Sequence, residues 1–120
     1  MKAVITAQAG SLTANVDPRF GRASCFILYD TETGEFTAHS NEQNKNAAQG
    51  AGIQAAQNVA RLGPEVVITG HVGPKALEAL RAAGIKVCVG ASGAVQEALA
   101  TYQAGKLEVV DKPDVDGHWM

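Results

Sequence analysis

Short apolar runs and amphipathic stretches alternate along this chain, and glycine or proline marks most of the junctions. Residues 2–7 and 25–29 are runs of strand length that carry β-branched and aromatic side chains. A third run, 36–40, follows Asp30-Thr31-Glu32-Thr33-Gly34-Glu35, a polar glycine-bearing link that signals a hairpin. After the polar stretch 41–46, the segment 53–62 sets Ile53, Ala56, Val59, Ala60 and Leu62 at mostly helical spacing and stops at Gly63-Pro64. That pattern predicts a first helix. Strand and helix then alternate: strand 65–69, helix 74–83 ended by Gly84, strand 85–89, helix 94–104 ended by Gly105. Pro74 suits the first turn of its helix, where a missing N–H costs nothing, and Ser92 is placed to cap the last one.

Such alternation implies parallel strands joined by crossover helices. The expectation is an α/β domain over residues 1–110, with a central mixed five-stranded sheet flanked by three helices. Residues 107–110 are available for a short edge strand. The tail 111–120 is polar and aperiodic, and it reads as flexible unless His118 and Trp119 dock on the body. In a meander followed by right-handed βαβ units, the first strand lies beside the fourth, with the hairpin on one side and the fifth strand on the other. Chain order therefore reverses near the sheet centre, where open α/β sheets bind ligands outside the carboxyl ends of their strands.

Composition narrows the possibilities. A chain of 120 residues with 46% hydrophobic content supports one core. The net charge is -2 and no stretch is rich in Lys and Arg, which argues against nucleic acid. A small anion answers to local charge and oriented dipoles instead. The N-terminal run before Gln8 is too short for a signal peptide or a membrane span, so a cytoplasmic protein without membrane contact is expected. Cys25 and Cys88 are far apart, with no Cys-x-x-Cys and no His at ligand spacing, so they read as buried reduced thiols.

Candidate chemistry gathers at three glycine-bearing turns: Asp17-Pro18-Arg19-Phe20-Gly21-Arg22, Gly50-Ala51-Gly52 and Gly70-His71-Val72-Gly73-Pro74. Glycine lets backbone N–H groups approach a ligand, and a turn feeding a helix adds partial positive charge. The first and third turns follow the first and fourth strands and so meet at the switch point, and the glycine run before the first helix could join the same rim. Arg19 and Arg22 supply full charges, or are solvated loop residues with Asp17 pairing one of them. Gly50 and Gly52 serve either close packing or ligand approach. His71 can contact a ligand, coordinate a metal or bond a backbone carbonyl. Lys45 and Lys75 lie near enough to extend a positive rim, and His39 reads as a surface residue. No nucleophile elbow, Walker-type run or paired carboxylates on the central strands occur, so the chain looks more like a holder than a catalyst.

At these residues the sequence resembles the dinitrogenase iron-molybdenum cofactor biosynthesis (NifX-like) family, from Met1 to about Val110. The matching pieces are Asp17-Pro18-Arg19-Phe20-Gly21-Arg22-Ala23, Gly50-Ala51-Gly52-Ile53-Gln54-Ala55-Ala56, Gly70-His71-Val72-Gly73-Pro74-Lys75-Ala76 and Ala82-Ala83-Gly84-Ile85-Lys86-Val87. The resemblance implies a ribonuclease H-like fold without nuclease carboxylates and a non-enzymatic role in binding, storing or delivering metal-sulfur clusters. It is nearest the stand-alone orange-protein branch, which implies a molybdenum-copper sulfide cluster held without covalent attachment. An iron-molybdenum-sulfur cluster or precursor is the alternative cargo, and a partner ATPase is known for some members. Phe20, Ile53 and Val72 are candidates for an apolar wall beside the Arg- and amide-lined pocket. His71 is the one plausible counterpart of family cluster contacts, with Cys25 a lesser one. Two other classes stay open: an enzyme acting on a small phosphorylated ligand with His71 as acid or base, and an interaction module whose pocket is vestigial.

Overall fold

The computed structural model describes residues 1–45 and 50–110, Lys45 by its backbone alone. Ten elements follow in order: β1 (Lys2–Ala7), β2 (Cys25–Asp30), β3 (Phe36–Ser40), α1 (Glu42–Lys45), α2 (Ala51–Leu62), β4 (Val66–Ile68), α3 (Pro74–Ala82), β5 (Lys86–Val89), α4 (Val95–Gln103) and β6 (Glu108–Val110). They build one mixed sheet in the order β3-β2-β1-β4-β5-β6. β1 pairs antiparallel with β2 and parallel with β4, so the chain order reverses where expected, between the first and fourth strands.

Alternation along the strands divides the core in two. Val4, Phe26, Val67 and Val87 face α2 and α3, where they meet Ala55, Val59, Leu77 and Leu80. Ala3, Ile5, Ile27, Val66, Ile68 and Cys88 face α4 and meet Val95, Ala98 and Leu99. Because β1 and β4 are covered on both sides, their apolar runs are nearly continuous, as central strands demand. Each fully buried Val, Ile or Leu contributes roughly 1.5–3 kcal/mol relative to exposure.

Three expectations are corrected. The sheet has six strands rather than five, because residues 108–110 do pair with β5, antiparallel. Four helices are present among the described residues rather than three, since part of the polar stretch after β3 coils into the single turn α1. The cap of α4 is Ala94 rather than Ser92. There the Glu97 carboxylate accepts the Ala94 N–H at 2.8 Å, so the capping oxygen comes from inside the helix. The expected tail, with His118 and Trp119, lies outside the described residues.

Candidate functional site

The loop between β1 and β2 is folded back on the sheet by its own backbone. Asp17 N–H donates to the Thr6 carbonyl at 3.0 Å, and the Thr6 hydroxyl donates to the Asp17 carbonyl at 2.7 Å. The Thr69 hydroxyl, just beyond β4, lies 2.8 Å from the Thr6 hydroxyl and ties the two strand ends together. Next, His71 N–H donates to the Pro18 carbonyl at 2.7 Å and Phe20 N–H donates to the His71 carbonyl at 3.1 Å. The arginine turn and the histidine turn are therefore zipped side by side. Their closeness explains Gly70, where an added Cβ would stand 2.7 Å from Pro18 Cα. Phe20, 2% exposed, pins the loop into the core, its ring 5.7 Å from that of Phe26.

Two helix starts meet this loop. α2 opens from Gly50, whose φ of 79° lies in the left-handed region that glycine alone adopts freely. α3 opens from Gly73 with Pro74 at the first helical position. Neither cap has a side chain, and neither first turn carries an acidic residue, so among the described residues no side-chain cap or first-turn acid opposes the positive dipole end of either helix. A cleft of about 440 Å³ opens between them, lined by Arg19, Phe20, Gly21, Arg22, Gly50, Ala51, Gly52, His71 and Gly73. At Gly21 an added Cβ would come within 2.8 Å of Gly52 Cα, so the arginine loop and α2 touch backbone to backbone. At Gly52 an added Cβ would stand 3.3 Å from the Ala76 methyl. Packing thus accounts for Gly21, Gly52 and Gly70, and a left-handed φ for Gly50. Gly73, with φ of -71° and open space around its Cβ position, has neither reason to be glycine.

The charges at the rim are graded. Arg19 keeps 64% of its side chain exposed while its Nε lies 3.5 Å from the buried Asp17 carboxylate, which also accepts the Arg19 N–H at 3.1 Å. Arg22 is half-buried, and His71 and Lys75 are exposed. Of the residues expected at the site, Ile53, Gly70 and Val72 are not in the lining. Gly70 is buried beneath Pro18, Ile53 points outward at 37% exposure, and Val72 packs against the core below α3.

The model of the family described as "Dinitrogenase iron-molybdenum cofactor" matches residues 1–105. The chain belongs to this dinitrogenase iron-molybdenum cofactor family. A protein of Methanocaldococcus jannaschii without assigned character is 30% identical over 95 residues, 78% of this chain and 80% of its own. Among solved structures, the apo form of the orange protein from Desulfovibrio gigas is 39% identical with a TM-score of 0.88, covering 91% of this chain and 92% of that one. A Thermotoga protein of the DUF35 family is 35% identical with a TM-score of 0.81, covering 97% and 98%.

For this member of the dinitrogenase iron-molybdenum cofactor family, the thiols lie away from the cleft. Cys25 and Cys88 both face the α4 side of the sheet, in the core opposite Phe20. Burial pushes the Cys25 thiol above its ordinary range, and the Asp17 and Glu42 carboxylates push the same way. Burial also raises Cys88, against a lesser opposing effect of the Lys86 charge. Both are held as neutral thiols, the less nucleophilic and less metal-binding form. Among the described residues no cluster of three His, Cys, Asp or Glu is arranged to hold a metal ion. No helix among them is long and apolar enough to cross a membrane.

Two residues of the site escaped the sequence reading. Asn41 and Asn44, in what reads as a polar link, are buried at 3% and 9% exposure against the Gly21 and Ala51 carbonyls. The only trace in the sequence is their three-residue spacing, which puts both amides on one side of a helical turn.

Proposed function

We propose that the cleft binds an anionic metal-sulfur cluster without covalent attachment, for storage or delivery, and that the preferred cargo is a molybdenum-copper sulfide. The observation that carries this reading is the pairing of two uncapped helix starts with two arginines around one opening. Charge-assisted hydrogen bonds contribute roughly 1.5–3 kcal/mol each, and a helix start adds about 0.3–2. A bulky polarisable anion matches a cleft with amide and guanidinium donors on its rim. His71 is the one described lining side chain able to ligate a metal directly. The glycine without a structural reason, Gly73, fits a backbone approached by ligand.

The likeness to the orange protein supports the copper-containing cargo, and membership of the family supports an iron-molybdenum-sulfur precursor as the alternative. In this reading the protein is a non-enzymatic cytoplasmic carrier with a ribonuclease H-like domain over residues 1–110, to which β6 adds an edge. Delivery would require a recipient, for which a partner ATPase is the family precedent.

The test is to mix metal-free protein with tetrathiomolybdate, with and without copper(I) and separately iron(II), and to follow visible absorbance and metal through a sizing column. A coloured complex that requires copper supports the preferred cargo. One that requires iron moves the assignment to the precursor, and none in any mixture overturns the carrier reading in favour of an interaction module.

A further inference from the structure

The arginine loop and the start of α2 are separate pieces of chain, and the width of the cleft depends on how far apart they stand. Their nearest approach is limited by the Gly21–Gly52 backbone contact. Contact alone does not stop them from parting. Beside the packing of Phe20 and Ala23 with α2 in the core, a pair of buried amides opposes separation at the cleft itself. Asn41 Nδ2 donates to the Ala23 carbonyl at 2.8 Å and to the Gly21 carbonyl at 3.2 Å. Asn44 Nδ2 donates to the Ala51 carbonyl at 2.9 Å, with Asn41 Oδ1 at 3.3 Å and the Gly21 carbonyl at 3.5 Å. Asn41 N–H anchors the group on the Ser24 carbonyl at 2.9 Å, and Asn44 N–H closes the turn on the Asn41 carbonyl at 3.0 Å.

Every acceptor around Asn44 Nδ2 is a carbonyl oxygen, so the position needs a neutral group with two donors on one nitrogen. A carboxylate there would face oxygens of its own polarity, and an apolar residue would leave buried carbonyls short of a donor. We infer that Asn44, backed by Asn41, is a positioning residue for the cleft. By joining the arginine loop to the first residue of α2 it fixes the span between the guanidinium groups and the α2 amides, and with it the size of anion they grip together. The identity of that anion rests on the carrier reading above, whereas the clamp itself does not.

The test uses Asn44→Ala beside Leu99→Ala, which removes a buried side chain from the opposite core below α4 and lowers stability without touching the cleft. In the metal-free Asn44→Ala protein, the amide NMR signals of Gly21, Arg22, Ala51 and Gly52 are expected to shift together and exchange faster. Affinity for the cluster formed from tetrathiomolybdate and copper(I) should fall about tenfold, the scale of one lost neutral hydrogen bond, and the absorption bands of the bound cluster should move. Leu99→Ala should melt lower while leaving those signals and bands where they are. Unmoved signals in Asn44→Ala, movement on one side of the cleft only, or equal spectral change in Leu99→Ala each overturn the clamp. If the wild-type protein captures no cluster, the ligand reading fails alone and the metal-free signals still decide the clamp. Should Asn44→Ala not fold, Asn41→Ala, which cuts the Gly21 and Ala23 bonds, is judged by the same signals.

Discussion

The start of α4 and the starts of α2 and α3 solve one physical problem in opposite ways. A helix begins with amides that have no partner inside it. At α4 the chain supplies partners: Glu97 accepts the Ala94 N–H, and the carbonyls of Ala14 and Leu12 accept the Val95 and Gln96 N–H groups at 2.8 and 3.0 Å. At α2 and α3 the caps are glycines and no acid stands in the first turn. A glycine in place of a side-chain cap costs only about a few tenths of a kcal/mol, so these ends are left open cheaply. Leaving two such ends beside one cleft, while a third is sealed on the other face of the sheet, separates amides that serve folding from amides that can serve a ligand.

The largest test of that division removes the charges. Arg19→Ala with Arg22→Ala should weaken cluster binding about a hundredfold, with each charge-assisted contact contributing roughly 1.5–3 kcal/mol and the exposed Arg19 at or below the low end. Titration with preformed cluster at fixed salt reads this directly. An unchanged affinity would end the electrostatic account. Gly70→Ala comes next, because its Cβ would overlap the Pro18 backbone at 2.7–2.8 Å. It should cost about 1–3 kcal/mol in denaturant unfolding.

Two smaller substitutions then set the helix starts against each other. Glu97→Ala should lower stability by about 1 kcal/mol and leave cluster affinity alone. Gly73→Ala should do the reverse, keeping stability within about 0.5 kcal/mol while weakening binding several-fold. If both variants lose affinity equally, the distinction between sealed and open helix starts collapses.

The smallest effect is on pH dependence. Cys25 and Cys88 have thiol pKa values raised above 9.0 by burial, so the folded state holds their protons more firmly than the unfolded state does. Their contribution is full below 9.0 and is lost as pH rises through the higher folded values. Unfolding measured from pH 8 upward should show a decline that is shallower in a Cys25→Ala, Cys88→Ala protein.

Much of this arrangement is legible in the sequence. Hairpin link, glycine stops and alternating runs were enough to place β1 beside β4, because right-handed crossovers leave few other topologies. The three turns were recognisable by composition, and the fold does bring Arg19, Arg22, His71 and the glycines of residues 50–52 to one opening. What sequence did not show were matters of tertiary contact. α2 begins at Ala51 rather than at residue 53, and it takes in Gly52, a weak helix former, where an added Cβ would stand 3.3 Å from the Ala76 methyl of α3. Ile53 and Val72 read as cleft wall by their hydrophobicity, and only the direction of each side chain removes them. Asn41 and Asn44 were invisible because their partners are main-chain carbonyls up to 23 residues away, which carry no side-chain signature.

The hairpin at residues 30–35 lies at the far end of the sheet from the cleft, since β1 runs toward the opening and β2 runs back from it. Gly34 there has a φ of 78°, and an added Cβ would meet only the Tyr29 hydroxyl, at 3.8 Å. Among the described residues, the tip of this hairpin therefore has open space that the crowded turns at the cleft lack. A fluorescent tag, an affinity handle or a tether to a surface spliced at Thr33 can be used to test for ligand binding at the other pole without standing in the cleft.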